Sequence, residues 1–186
     1  MYNRIMKIIV LNGANDQTDL RTYTHSLERE LQNSGHDVNL IHLAEKDIRF
    51  CTGCWTCWWK TPGQCVFSDD MGMILPEILH GDLVILITPV HLGLVSSLMK
   101  KTLDRTIPLL HPYMTFRDGE THHKKRYPHY PDIALIYKKD NQTDQEDVAF
   151  LKTWVNRYNL NFYADLKFFG STESNMKDMV NEISRI

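Results

Sequence analysis

Three short segments of this chain are apolar at nearly every position and rich in β-branched residues: KIIVLN at 7–12, DLVILITP at 82–89 and DIALIY at 132–137. A strand with one wet face alternates apolar and polar residues. A run without alternation has both faces covered, which calls for a parallel sheet held between two layers of helices. Segments 37–43 and 162–169 read as two further strands nearer the sheet edges. Helical stripes fill the gaps. Leu20, Tyr23, Leu27 and Leu31 share one helix face, and Gly35 ends that segment. Ile74, Leu75, Ile78 and Leu79 follow Asp69 and Asp70, which read as an N-cap pair, and stop at Gly81. Leu94, Leu98 and Leu103 predict a third helix reaching Ile107. Thr143-x-x-Glu146 reads as a capping box that opens a fourth, with Val148, Leu151, Val155 and Tyr158 on one face. A short last helix follows Glu173.

Strands alternating with helices predict an α/β fold, a flavodoxin-like three-layer α/β/α arrangement with a five-stranded parallel sheet in the order 2-1-3-4-5. The 186 residues are expected to form one domain, 1–186, with a cysteine-rich loop at 50–66 inserted after the second strand. Ligands of such sheets bind outside the carboxyl ends of the strands. The loops after residues 12, 89 and 137 fall at that edge, and the cysteine loop is expected there too. A net charge of −2 excludes attraction of the whole molecule to nucleic acid or an anionic membrane. The first residues, MYNRIMKIIVLNG, run straight into a strand without the pattern of a signal peptide, which points to the cytoplasm.

All four cysteines and three of the four tryptophans lie within CTGCWTCWWKTPGQC. The spacing C-x2-C-x2-C-x7-C brings three thiols together in series, and Pro62-Gly63 turns the chain back toward the fourth. This pattern suits a 4Fe–4S cluster. Zinc sites more often use two separated C-x2-C pairs. A disulfide, or a loop in which cysteines pack beside Trp55, Trp58 and Trp59, are the other readings.

CTGCWTCWWKTPGQCVFSDDM resembles the cysteine motif of the iron–sulfur flavoprotein branch of the NADPH-dependent FMN reductase family. TPVHLGLVSSLMKKTLDR at 88–105 is similar to the second flavin loop of that family, LNG at 11–13 to the start of its phosphate loop, and HKKRYPHYPDIALI to its approach to the fourth strand. The resemblance implies an NAD(P)H-dependent FMN reductase-type oxidoreductase, assembled as a homodimer or homotetramer. It would exchange electrons with a redox partner protein or a small-molecule acceptor, without nucleic acid or membrane. By the same resemblance, Cys51, Cys54, Cys57 and Cys65 are the cluster ligands. Asn12, Gly13, Ala14, Asn15, Thr18, Arg21 and Thr22 are the phosphate loop, and Pro89, Val90, His91, Leu92 and Gly93 meet the flavin ring. Two departures stand out. Relatives continue LNG with Ser-Pro-Arg, where this chain has Ala14, Asn15 and Asp16, and His91 replaces an aromatic residue. Arg21 is the expected substitute cation. The departures leave a second reading: a flavodoxin-like module that has lost FMN and serves as a cluster carrier or protein-interaction component.

His122 through Arg126 form a basic run after RDGET, expected as a solvated loop, with an NADPH-phosphate contact or a flavin lid as the alternatives. His25, His36, His42 and His80 are expected on surfaces or at element ends. No G-x-G-x-x-G or Walker motif occurs, so a nicotinamide would stack directly on the flavin.

Overall fold

The computed structural model describes residues 4–15 and 18–186, and the side chains of all of these except Thr18 and Asp19. In chain order the first elements are β1 (Lys7–Asn12), α1 (Thr18–Asn33), β2 (Asp37–His42), α2 (Thr56–Trp59), α3 (Met71–His80), β3 (Leu83–His91), β4 (Leu94–Val95) and α4 (Ser97–Asp104). There follow β5 (Leu110–Arg117), β6 (Glu120–Lys125), β7 (Asp132–Lys138), α5 (Gln145–Phe162), β8 (Leu166–Ser171) and α6 (Met176–Ile183). Five strands pair in parallel in the order β2-β1-β3-β7-β8. Counting the parallel strands alone, this is the flavodoxin-like order 2-1-3-4-5 that the sequence predicts.

The solid apolar runs divide between two cores, as a strand period of two requires. Ile8 and Val10 of β1, Leu83, Ile85 and Ile87 of β3, and Ala134 and Ile136 of β7 face α1 and α6. Ile9 and Leu11, Val84 and Leu86, and Ile133 and Leu135 face α3, α4 and α5. Gly35 ends α1 at φ +91°, a conformation open to glycine, while the His36 N–H returns to the Leu31 carbonyl.

Several features differ from the sequence reading, the third helix among them: it runs from Ser97 to Asp104, because Leu94 and Val95 pair with β3 as β4. The last strand is Leu166–Ser171, because Phe162 completes the apolar face of α5 against Tyr158, and Tyr163 ends that helix at φ 56°. The capping box of α5 is Asp144 with Asp147, one residue later than Thr143 with Glu146, and Thr143 bonds to Asp140 instead. The basic run is not a solvated loop. Asp118 and Gly119, both at positive φ, form a tight turn between β5 and β6, and His122 is 3% exposed in β6. His36 is likewise buried, bonded to the Met6 N–H and the Ser184 hydroxyl.

The register of the capping box has a direct test. Asp144→Ala is expected to lower stability by about 1 kcal/mol, and Glu146→Ala by less than ~0.5 kcal/mol. Urea midpoints at constant slope read the difference.

Candidate functional site: a thiol cavity and a glycine edge

The cysteine loop closes on a buried ion pair. Asp69 and Arg105, with side chains 0% and 1% exposed, meet through two guanidinium nitrogens at 2.7 and 2.9 Å. The same guanidinium donates to the Arg49 carbonyl at 2.7 Å, and the Arg49 N–H returns to Asp69. One step outward, Asp47 and Asp70 exchange hydrogen bonds, the Asp70 N–H to the Asp47 carbonyl and the Asp47 N–H to the Asp70 carboxylate. Asp69 therefore does more than cap a helix. Its carboxylate also accepts from the Met71 N–H at the start of α3, but Asp70 makes no cap bond there. Burial alone would raise the Asp69 pKa, but Arg105 and the backbone N–H groups of Arg49 and Met71 hold it below the ordinary range.

Above this stem the loop runs through Gly53 and Trp55, both at positive φ, into the single turn of α2. The Gly63 N–H, at φ +86°, bonds the Cys57 carbonyl and reverses the chain toward Cys65. All four thiols are free of disulfides and line one cavity of about 530 Å³. Trp55, Phe67, Arg105, Ile107, His123 and Tyr158 contribute to its walls. Trp58 stacks on Trp55, meets the His123 ring at a tilt and donates to the Ile107 carbonyl, whereas Trp59 points into solvent. Burial pushes the Cys57 thiol up, and the charges of Cys65, Cys51 and Cys54 push it further. Hydrogen bonds from Thr56 hold Cys54 down. Among the described residues no three His, Cys, Asp or Glu side chains gather tightly enough for a single metal ion. Four thiols that border one cavity, with the ionisation of Cys57 opposed by the other three, nevertheless fit a multi-iron cationic core, which would balance that charge.

The second region is the carboxyl edge of the sheet. Asn12 is buried at the end of β1, its carbonyl oxygen accepting from the Ala14 N–H and its amide meeting His42 Nδ1 at 3.0 Å. The Gly13 N–H bonds the Ile87 carbonyl, and the Ser96 hydroxyl donates to the Gly13 carbonyl. Ser96 Oγ also caps α4 through the Met99 N–H, and the Ser96 N–H is bonded to the Thr88 hydroxyl. A Cβ at position 13 would sit 2.8 Å from Met99 Cβ, so only glycine fits. Asn15 is exposed, while the side chain of Thr18 lies outside the described residues. Arg21 and Thr22 are exposed on α1, and Arg21 pairs with Glu45.

β3 continues past this edge and turns into β4 at Leu92 and Gly93, both at positive φ. A Cβ on Gly93 would press on Phe150 and Asp147 of α5. Leu92 is 92% exposed and His91 is exposed close to Asp140 in the loop after β7, whereas the Val90 side chain is buried in the core and leaves only its backbone for a ligand. The sequence reading put the cysteine loop at the same edge. The structure places the thiol cavity at the carboxyl end of α4 and the glycine edge at its amino end. Eight helical residues, about 12 Å, lie between them. The Asp69–Arg105 pair, the Ser96 clasp and the β5–β6 hairpin escaped the sequence reading, although Asp118-Gly119 is a hairpin signal.

Residues 6–125 match the model of a family described as NADPH-dependent FMN reductase. An iron–sulfur flavoprotein of Archaeoglobus fulgidus is 42% identical over 83 residues, 45% of this chain and 37% of that protein. One from Methanocaldococcus jannaschii is 35% identical over 108 residues, 56% of this chain and 53% of its own length. The chain thus spans about half or less of the relatives it matches. Among solved structures, an NAD(P)H:quinone oxidoreductase from Methanothermobacter marburgensis superimposes with a TM-score of 0.63 at 12% identity, covering 97% of this chain and 94% of that one. The apo form of an NADH:FMN oxidoreductase gives 0.59 at 11% identity, covering 97% and 87%. At these identities the likeness is one of fold.

Breaking the stem is expected to be costly. Asp69→Asn leaves the Arg105 charge buried without its partner, a loss of about 3–5 kcal/mol. The Asp69 pKa is lower in the folded than in the unfolded chain, so its stabilisation is complete above the unfolded value and fades as pH falls through the folded one. Urea midpoints measured from neutral to acid pH are expected to begin converging for wild type and variant below about pH 4 and to meet only below the folded value.

Proposed function

This chain belongs to the NADPH-dependent FMN reductase family, and from that premise we propose that it is an oxidoreductase holding FMN at the glycine edge and a 4Fe–4S cluster in the thiol cavity. NAD(P)H or a protein donor supplies its electrons. The observation that carries this reading is the placement of all four thiols around one cavity, in a chain whose first loop packs against α4 through a glycine.

FMN held at the glycine edge would supply hydride acceptance and single-electron release, and a cluster in the thiol cavity would supply one-electron transfer. The chain supplies position. The loop after β1 and the amino end of α1 would receive the phosphate, with Arg21 turned from Glu45 to assist, the Gly13 and Ala14 N–H groups being already bonded to Ile87 and Asn12. His91, Leu92 and the backbone of Pro89, Val90 and Gly93 lie along the ring. Cys51, Cys54, Cys57 and Cys65 would hold the iron, with Trp55, Trp58 and His123 packed together beside them. Exposed apolar side chains support assembly as a homodimer or homotetramer and contact with a redox partner: Phe50, Trp59 and Val66 beside the cysteine loop, and Tyr113 and Phe116 on the hairpin. We read residues 1–186 as one domain working in the cytoplasm. Among the described residues no helix is long and apolar enough to cross a membrane.

The Arg21–Glu45 pair favours a second reading, a module without FMN, since it occupies the cation expected at the phosphate. Absorption spectra with iron, sulfide and flavin analysis on protein purified without oxygen decide between them. About four irons, four sulfides and one FMN per chain are expected. Iron without flavin, even after FMN is added, overturns the flavin reading. Flavin without iron, even after reconstitution, overturns the cluster reading. Gly13→Ala is expected to weaken FMN binding at least about tenfold, some 1.4 kcal/mol, at unchanged iron content, measured by flavin fluorescence titration.

A further inference from the structure

The guanidinium of Arg105 has five N–H donors. Nη1 and Nη2 serve Asp69 and the Arg49 carbonyl. Nε is buried and has no hydrogen-bond partner among the described residues. An unmet buried donor costs about 1–3 kcal/mol, more when it is charged, so a native structure that keeps one calls for an acceptor. The surroundings offer few. The Phe67 ring lies against the guanidinium, 5.3 Å from its centroid, and supplies a π face without a lone pair. Asp69 is already engaged through both oxygens. What remains is the thiol cavity, which Arg105 lines together with all four cysteines. Among these, the charge of Cys65 acts with Asp69 to hold the Arg105 pKa above its ordinary value. Chain connectivity agrees, since Asp69 lies four residues after Cys65 and fixes Arg105 from the same strand of the loop.

We propose that Arg105 is a positioning residue for the fourth thiolate: its Nε–H donates to the Cys65 sulfur, fixing that ligand's direction into the cavity and drawing electron density from it. A charged donor to an ionised acceptor makes a strong bond, and hydrogen bonds to cluster sulfurs are among the features that set a cluster's potential. The other three thiols are placed differently: Cys54 is served by Thr56, Cys51 is exposed, and Cys57 is buried among the other thiols. The four ligands are therefore unequal, and the corner at Cys65 is the electron-poor one. The consequence for the cluster rests on the cluster reading given above, whereas the contact itself does not.

Two measurements separate these. In metal-free protein, the side-chain Nε–H resonance of Arg105 is followed by 1H–15N NMR. Cys65→Ala is expected to move it and to speed its exchange with solvent at least tenfold, and Cys51→Ala to leave it in place. A resonance indifferent to Cys65 overturns the proposal, whether or not the protein ever binds iron. In protein loaded with iron and sulfide, Arg105→Lys keeps the positive charge but removes Nε–H. It is expected to shift the midpoint potential to more negative values and to speed iron loss to a chelator several-fold. Faster iron loss at an unchanged potential marks a merely structural role and also overturns the proposal. If the wild-type chain takes up no iron on reconstitution, the cluster reading falls by itself, and the NMR result still decides the contact.

Discussion

One guanidinium, that of Arg105, sits where three parts of the chain meet: the descending limb of the cysteine loop at Arg49, its returning limb at Asp69, and the end of α4. A loop of some twenty residues has a large conformational entropy to lose before its cysteines can face one another. Tying both limbs to a single buried cation shortens the loop to its apical part, where the α2 turn and the Thr61–Gln64 reversal finish the work. Burying the charge is costly by itself. It is tolerated because the carboxylate, a backbone carbonyl and the Phe67 ring all face it. Without that arrangement the thiols would still be close in sequence, but nothing would hold them around one cavity.

The opposite end of α4 repeats the principle with neutral groups. The Ser96 hydroxyl caps the helix and donates to the Gly13 carbonyl, so the turn after β1 and the start of α4 cannot move apart. Thr88 secures the Ser96 N–H from β3. Asn12 and His42 join the first loop to the neighbouring strand. The carboxyl edge of the sheet is thus stitched from short polar side chains, and the bulky apolar residues stay beneath it.

The architecture was legible in the sequence because it depends on local pattern. The solid runs of β1, β3 and β7 are doubly buried as their lack of alternation requires, and the strand order follows from alternating elements. What was not legible depends on distance along the chain. Nothing local distinguishes an Asp69 that caps a helix from one that pairs with Arg105, thirty-six residues away. The capping box slipped by one residue because Thr143 and Asp144 are both good N-caps, and tertiary context decides which is used. Phe162 reads as strand by composition, but its partners on α5 claim it. The four cysteines were legible as a set from spacing alone, whereas the placement of their cavity at the far end of α4 from Ser96 required the structure.

That placement makes α4 a ruler. Its first turn is pinned at Gly13 and its last at Asp69, so the interval between the two centres within a chain is set by residue count. Each residue inserted into the helix would lengthen the interval by about 1.5 Å and swing Arg105 by about 100°, away from Asp69. The length of this one short helix is therefore under a double constraint, in span and in phase, that surface segments of the same chain escape.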